Sequence, residues 1–209
     1  MSGLVKATID LCTVEAVLRS PFYEHRRVSS SVADLHVDDR EHLYQAIAAF
    51  SYQAEQHCGR WFRLAAYTEV LDTDEGQHVV QLRAYPVASV ASVKEDYEGD
   101  FASVTALDAT DYALVRGGRS GQLRLRGTRP FIEATQGLQV VYTGGLAAVV
   151  HQLPADLRMA AVEQVPYMLE RAKTAHLTGQ SGPEGSATYF RATPLLPSVA
   201  ALLGPYRTP

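Results

Sequence analysis

The sequence predicts an α+β protein: a small helical bundle with an inserted antiparallel β meander or sandwich and an extended C-terminal tail. Two observations predict this class. Apolar residues recur at helical spacing on both sides of the chain's centre, and between Tyr67 and Thr143 the period changes to two. We divide the chain into an N-terminal arm with a short helix (1–37), a helical bundle (38–177) with its β insertion (about 66–146), and a docking tail (178–209).

Composition and charge limit the function classes. Hydrophobic residues make up 46% and charged residues 20% of the 209 residues, as in ordinary folded proteins. The formal net charge of −4 provides no basic surface of the kind that dedicated nucleic-acid binders carry. Cys12 and Cys58 form no CxxC pair, so we expect free thiols in a reducing compartment. No run approaches the roughly 20 apolar residues of a membrane span, and we expect a soluble chain.

Three helices are predicted outside the β insertion and before the tail. The first carries Leu11, Val14 and Leu18 on one face, with Asp10 as its cap, and a loop follows it. The second starts at Asp38, and its apolar face consists of Leu43, Ile47, Phe50, Ala54 and His57. The third starts at Pro154, and its apolar stripe includes Leu157, Ala161, Val165 and Ala172. Pro166 lies inside the third helix and is expected to kink it or to break it in two.

The insertion is predicted to contain seven short strands, because short runs rich in Val, Tyr and Thr alternate with Gly, Asp and Pro turn signals. The runs are Tyr67–Thr73, His78–Arg83, Ser89–Glu95, Phe101–Leu107, Tyr112–Arg116, Gln122–Arg126 and Leu138–Thr143. The glycines between Arg116 and Gln122 are typical of a hairpin turn.

The tail begins with a Gly/Ser/Pro run over 178–186 that is predicted to be a flexible link. A short helix from Pro197 to Gly204 follows, and burying its apolar side chains would contribute roughly 6–12 kcal/mol, about the cost of ordering it. It therefore needs a partner surface. Two alternatives are open: the helix folds back on its own domain, or, as we prefer, the tail docks on another subunit. The residues expected to make this contact are Val199, Leu202, Leu203, Tyr206 and Arg207.

Motifs for catalysis or metal binding are not found. The glycines near Arg119 lack the P-loop lysine, the seven histidines show no HExxH spacing, and the acidic run Glu95–Asp100 lacks the calcium-loop pattern. We expect no enzyme activity, catalytic residue, metal or cofactor. One hairpin carries a local basic strip that could face the phosphate backbone of DNA, formed by Arg116, Arg119, Arg124 and Arg126, with Arg129 nearby.

Four motifs occur in an order and with a spacing that resemble those of a known family. They are His57-Cys58-Gly59-Arg60-Trp61-Phe62 after the second helix, the strand Tyr85–Val93, Val140–Gly145 leading into Leu153–Leu157, and the terminal Leu202–Arg207. Over roughly 38–209 the chain resembles the head-to-tail connector, or adaptor, proteins of long-tailed bacteriophages and related particles. The arm over 1–37 is longer than in that family, so no role is transferred to it.

The resemblance implies a structural protein of the virion neck, assembled in the host cytoplasm. It implies a ring, usually of twelve copies, beneath the portal protein at the capsid vertex, which encloses the channel for the DNA. The implied partners are other copies of the chain, the portal protein, a stopper or tail-completion protein and passing double-stranded DNA, but no membrane. The alternative is a small-ligand-binding or enzymatic β-barrel domain whose site lies in the insertion near Arg124, Arg126 and Tyr142.

Overall fold

The computed structural model describes residues 8–23, 32–174, 180–181, 187–188 and 194–208. The chain divides into two compact units. One, here called the β unit, consists of Gly59–Val149 with Thr8, and the other, the helical unit, is built from Ile9–Cys58 and Val150–Pro209. The predicted α+β class with a β insertion between two long helices is confirmed.

The described residues of the helical unit form four α-helices: α1 (Val14–Leu18), α2 (Val37–Cys58), α3 (Ala155–Thr174) and α4 (Pro197–Leu203). Residues from the predicted arm join this unit, since the backbone N–H of Leu11 donates to Ser51 Oγ at 3.0 Å. The predicted cap Asp10 is wrong. Thr13 caps α1 instead, because its hydroxyl oxygen accepts from the backbone N–H of Ala16 at 3.2 Å.

Helix α3 runs through Pro166 without a break. Of the two predicted alternatives, a kink or a division into two helices, the division is therefore wrong. Proline removes one backbone hydrogen bond and costs about 3 kcal/mol or more in a helix interior. In the turn that precedes Pro166, Ala161, Gln164 and Val165 are all fully buried. Their packing in the core of the helical unit offsets the missing hydrogen bond.

The β unit contains two open antiparallel sheets. The first has the order β1 (Ala65–Thr73), β6 (Ala134–Gly144), β3 (Val87–Glu95), and the second has the order β2 (Val79–Gln81), β5 (Gln122–Leu125), β4 (Tyr112–Leu114). Both sheets contribute to a single core. Its largest fully buried side chains are Leu82, Leu123, Leu138 and Tyr142.

The predicted strand Phe101–Leu107 is wrong, because this segment pairs with no other strand. Phe101 is buried on its own, and its carbonyl oxygen accepts from Lys94 Nζ at 2.8 Å. Leu107 packs against the core, and its backbone N–H donates one hydrogen bond to the carbonyl oxygen of Val93. Two separately anchored apolar residues thus produced a pattern that looked like a strand.

The hairpin predicted around the glycines is confirmed, since β4 and β5 pair and a 3-10 segment, Val115–Gly118, follows β4. Gly118 has a φ of +83°, and a Cβ atom there would lie 2.3 Å from the carbonyl oxygen of Val87. The turn therefore requires glycine at this position.

Little of the predicted link over 178–186 lies within the described residues. Gln180–Ser181 (β7) and Ala187–Thr188 (β8) form a two-residue antiparallel pair. The rest of the link lies outside the described residues. In the part of the chain that the structure describes, no helix is long and apolar enough to cross a membrane.

Candidate functional site

The C-terminal segment, residues 194–208, packs on its own helical unit. Val199 and Leu203 of α4 are fully buried, Leu202 and Tyr206 are half-buried, and Arg207 is exposed. This is the first of the two alternatives, a helix folded back on its own domain, and not the one that the sequence favoured. Of the five predicted contact residues, Arg207 and the accessible parts of Leu202 and Tyr206 can meet a partner in this conformation.

A buried glutamine of α3 holds the start of the segment. Gln164 is fully buried, its Nε2 donates to the carbonyl oxygen of Pro194 at 3.3 Å, and its Oε1 accepts from the backbone N–H of Leu196 at 3.0 Å. Gln53 of α2 donates to the same carbonyl oxygen of Pro194 at 3.2 Å. A side-chain amide that serves as both donor and acceptor fixes the backbone on either side of Leu195.

The end of the segment is held by two further contacts. The Tyr206 hydroxyl donates to the carboxylate of Asp156 in the first turn of α3. Thr208 donates through its backbone N–H (2.8 Å) and its hydroxyl (3.1 Å) to the carbonyl oxygen of Cys58. Because Cys58 is the last residue of α2, Thr208 satisfies a carbonyl that the helix itself leaves unpaired.

Sequence reasoning missed three contacts that hold the tail, those made by Gln164, Asp156 and Thr208. A usable signal existed for one of them: Gln164 lies at i+3 from Ala161 on the apolar stripe of α3, where a polar side chain must find hydrogen-bond partners. For Thr208 no local signal exists, because its partner is 150 residues away.

The arginine strip, which consists of Arg116, Arg119, Arg124 and Arg126, is exposed. Alternation along β5 buries the leucines on either side of Arg124 and turns its guanidinium outward. The cross-strand neighbours of Arg124 are Val79 and Ala113, which carry no charge. Among the described residues none of the four arginines forms an ion pair, so the strip keeps its positive charge.

Arg129 does not belong to this strip. Its guanidinium lies 2.6 Å from the carboxylate of Glu95, and that hydrogen bond raises the pKa of Arg129. Its charge is therefore neutralised within the β unit.

The residues of the alternative ligand site do not converge. Tyr142 is 1% exposed and lies on β6, where its hydroxyl donates to Glu69 and accepts from the backbone N–H of Ala84 at 2.9 Å. Burial and the neighbouring Glu69 raise the pKa of Tyr142 well above its ordinary value. Arg124 and Arg126 lie at the exposed surface of the other sheet. A buried phenol and two outward guanidinium groups form no common pocket, and the two open sheets form no barrel.

A cavity of about 230 Å³ lies in the helical unit, lined in part by Asp10, Cys12, Glu15 and Tyr44. Burial and the Asp10 carboxylate raise the pKa of the Cys12 thiol to about 12. The thiol is therefore protonated at neutral pH and is a poor nucleophile. Within the described residues no three His, Cys, Asp or Glu side chains come together as a metal site would need.

The sequence matches no protein-family model and no curated protein. The fold does match solved structures. One is a chain of the neck of an empty GTA particle computed with C6 symmetry, with 22% sequence identity and a TM-score of 0.58 over 98% of this chain and 93% of that chain. A chain of the virion of a native gene transfer agent (GTA) particle matches with 22% identity and a TM-score of 0.57, over the same shares of the two chains.

A third match is a chain of the neck of a native GTA particle computed with C12 symmetry. It has 22% identity and a TM-score of 0.50 over 84% of this chain and 85% of that chain. The chain thus shares its fold, across both of its units, with chains of GTA particles.

Proposed function

We propose that this chain is a structural head–tail connector, or adaptor, in the neck of a phage or phage-derived particle, assembled in the host cytoplasm. The observation that supports this most strongly is the fold likeness to a GTA neck chain, which extends over 98% of this chain and 93% of the other. A likeness of this extent includes the helical unit, the inserted β unit and their order. It is therefore more specific than a likeness to a single common motif.

The connector is a ring of identical copies, and twelve is the proposed number. The C6 and C12 symmetry of the matched neck structures supports a cyclic arrangement. In such a ring each copy uses two different surfaces, one for each neighbour. Each weak contact is repeated around the ring, so avidity replaces a single tight contact.

The C-terminal segment is the proposed contact with the portal protein, and the opposite side of the ring is the proposed attachment point for a stopper or tail-completion protein. Arg207, together with the accessible parts of Leu202 and Tyr206, supplies the contact surface. Val199 and Leu203 have a different role, because they are buried and fix α4 on the helical unit.

The arginine strip is the proposed surface that faces the DNA channel. Its four guanidinium groups, which form no ion pair with any residue that the structure describes, can touch phosphates without sequence preference. The formal net charge of −4 per chain keeps this attraction weak, so that duplex DNA slides through the ring.

The test compares particles from cells that produce the chain with particles from cells that lack its gene, by low-resolution imaging of the neck. We expect a ring at the neck in the first and heads without attached tails in the second. Complete, tailed particles without the chain would refute the proposal.

Portal contact is tested separately with the full-length variant Arg207→Glu, because deleting the tail would also remove the buried Val199 and Leu203. We expect fewer copies of the variant per particle, whereas Arg158→Glu, at an exposed position of α3, leaves the number unchanged. Equal incorporation of both variants would exclude Arg207 from the contact.

A further inference from the structure

The exposed side of α2 is charged in its first turns and uncharged further along the helix. Its first turns carry several ionisable residues, from Asp38 to His42. From Tyr44 to Gln56 the only charged residue is Glu55, and Glu55 is 3% exposed. The accessible side of these 13 residues therefore has no formal charge at all.

The exposed residues of this stretch form one continuous face. At about 100° per residue they fall within an arc of about 140°. They are Tyr44, Gln45, Ala48, Ala49, Tyr52 and Gln56. We call this surface the neutral face. Its two tyrosines are 48% and 52% exposed and lie about 12 Å apart along the helix axis.

The other long helix of the same unit shows what a solvated helix surface looks like in this protein. The accessible side of α3 carries charged residues along its whole length, at Asp156, Arg158, Glu163, Glu170 and Arg171. The neutral face lacks them and carries tyrosines on both sides of a small residue, Ala48. Depletion of charge with enrichment of tyrosine distinguishes the centres of protein interfaces from ordinary surface.

The chemistry and size of the neutral face restrict its partner. It has no cation for a phosphate backbone, so nucleic acid is a poor fit. Its two half-exposed tyrosines can each bury about 100 Å² more, half of what a whole aromatic side chain buries. Even with the alanines and glutamines, the face stays below the roughly 800 Å² per partner of a standard stable interface. An area of this size cannot hold two free chains together. It suits the apolar centre of a contact that is repeated around a closed ring.

We propose that the neutral face of α2 packs against a neighbouring copy of this chain. The inference rests on the proposed ring and names one of the two surfaces that each copy uses in it. Ala48 lies at the centre of the contact, where its small side chain lets the neighbour approach between Tyr44 and Tyr52.

The experiment places a photo-reactive benzoylphenylalanine at position 48 of the full-length chain and irradiates the assembled particles. The matched control carries the same group at Ala172, an exposed alanine of α3 that lies beside Arg171. We expect a product of twice the 22.8 kDa chain mass from position 48 and none from position 172. A product with a different polypeptide, a cross-link within one chain, or no product at position 48 would overturn the inference.

A second measurement uses Ala48→Glu and Ala172→Glu. Glutamate is a good helix former, so both variants are expected to fold, and the melting temperature checks this. Burying the new charge at position 48 should reduce ring formation at least about tenfold, as measured by native mass spectrometry, whereas Ala172→Glu assembles like the wild type. If Ala48→Glu assembles normally, the inference fails while the connector proposal stands. If the chain is absent from the neck altogether, the connector proposal itself fails.

Discussion

The hydroxyl group of Tyr206 donates to the carboxylate of Asp156, with the phenol oxygen 2.7 Å from Oδ1 and 2.8 Å from Oδ2. Asp156 lies in the first turn of α3, where the helix dipole favours its negative charge. The contact joins residues 50 positions apart and fixes the last turn of the C-terminal segment.

Tyr206→Phe removes this hydrogen bond and keeps the aromatic ring of the side chain. Hydrogen bonds to charged groups contribute about 1.5–3 kcal/mol, so we expect the free energy of unfolding to fall by about that amount in urea titrations. Tyr97→Phe is the matched control, because Tyr97 is 72% exposed. Equal stability of the two variants would show that the tail is not held by Asp156.

The buried side of α4 is tested by two neighbouring leucines. Leu203 is fully buried whereas Leu202 is half-buried. We expect Leu203→Ala to lower the free energy of unfolding by about 2–5 kcal/mol, and Leu202→Ala to lower it much less. Faster hydrogen exchange across 197–203 should accompany the first substitution. If Leu202→Ala costs as much as Leu203→Ala, the observed orientation of α4 is wrong.

Two glycines with nearly equal positive φ angles separate backbone strain from steric contact. Gly118 and Gly127 have φ values of +83° and +82°. A Cβ atom at Gly118 would lie 2.3 Å from the carbonyl oxygen of Val87, whereas nothing lies within 4 Å at Gly127. We expect Gly127→Ala to cost about 1 kcal/mol for its left-handed conformation and Gly118→Ala clearly more, measured by thermal unfolding. Equal losses would mean that β3 does not approach the turn.

The thiol of Cys12 gives a prediction on pH. Its pKa is raised to about 12 by burial and by Asp10, whereas in an unfolded chain a cysteine has a pKa of about 8.5. The folded state therefore keeps a proton that the unfolded state loses, so this group's contribution to stability is full below about pH 8.5 and declines as the pH rises towards 12.

We expect Cys12 to resist alkylation at pH 8 in the Cys58→Ser variant and to react at once in denaturant. Cys12→Ser in the same background accounts for any label on other groups. Rapid alkylation of Cys12 under native conditions would contradict its buried position.

The arginine strip predicts weak binding to duplex DNA. At about 0.15 M salt we expect a dissociation constant above the micromolar range, because few phosphates are neutralised. Replacing both Arg124 and Arg126 by alanine should reduce the number of counterions released on binding by about two, which lowers the salt dependence. The guanidinium of Arg129 is paired with Glu95, so Arg129→Ala should change the salt dependence less. Fluorescence anisotropy with a duplex of random sequence measures both. Sub-micromolar binding by the wild type would argue against a channel through which DNA slides.

The elements whose signals are local could be predicted from the sequence. The apolar face of α2 and the alternation around Arg124 follow directly from the side-chain period. The tail could not be predicted in this way, because its position depends on contacts with residues far away in the sequence, such as Thr208 with Cys58. Pro166 also shows the limit of local rules: proline does remove a backbone hydrogen bond, but the packing of the buried residues in the preceding turn outweighs that cost.

Of the candidate surfaces, the arginine strip was visible in the sequence because four like charges lie within eleven residues of one hairpin. The neutral face of α2 was equally visible as a run of 13 residues with one charge. That the exposed surface of this run carries no charge follows only from the structure, which shows that Glu55 is buried.

The proposed ring in the neck of a particle is tested by a low-resolution image of the purified assembly, alone and in particles, with the C-terminus labelled. We expect a closed ring with a central channel at the neck, and the labels on its capsid side. A chain that stays monomeric at every concentration and is absent from the neck would rule the ring out.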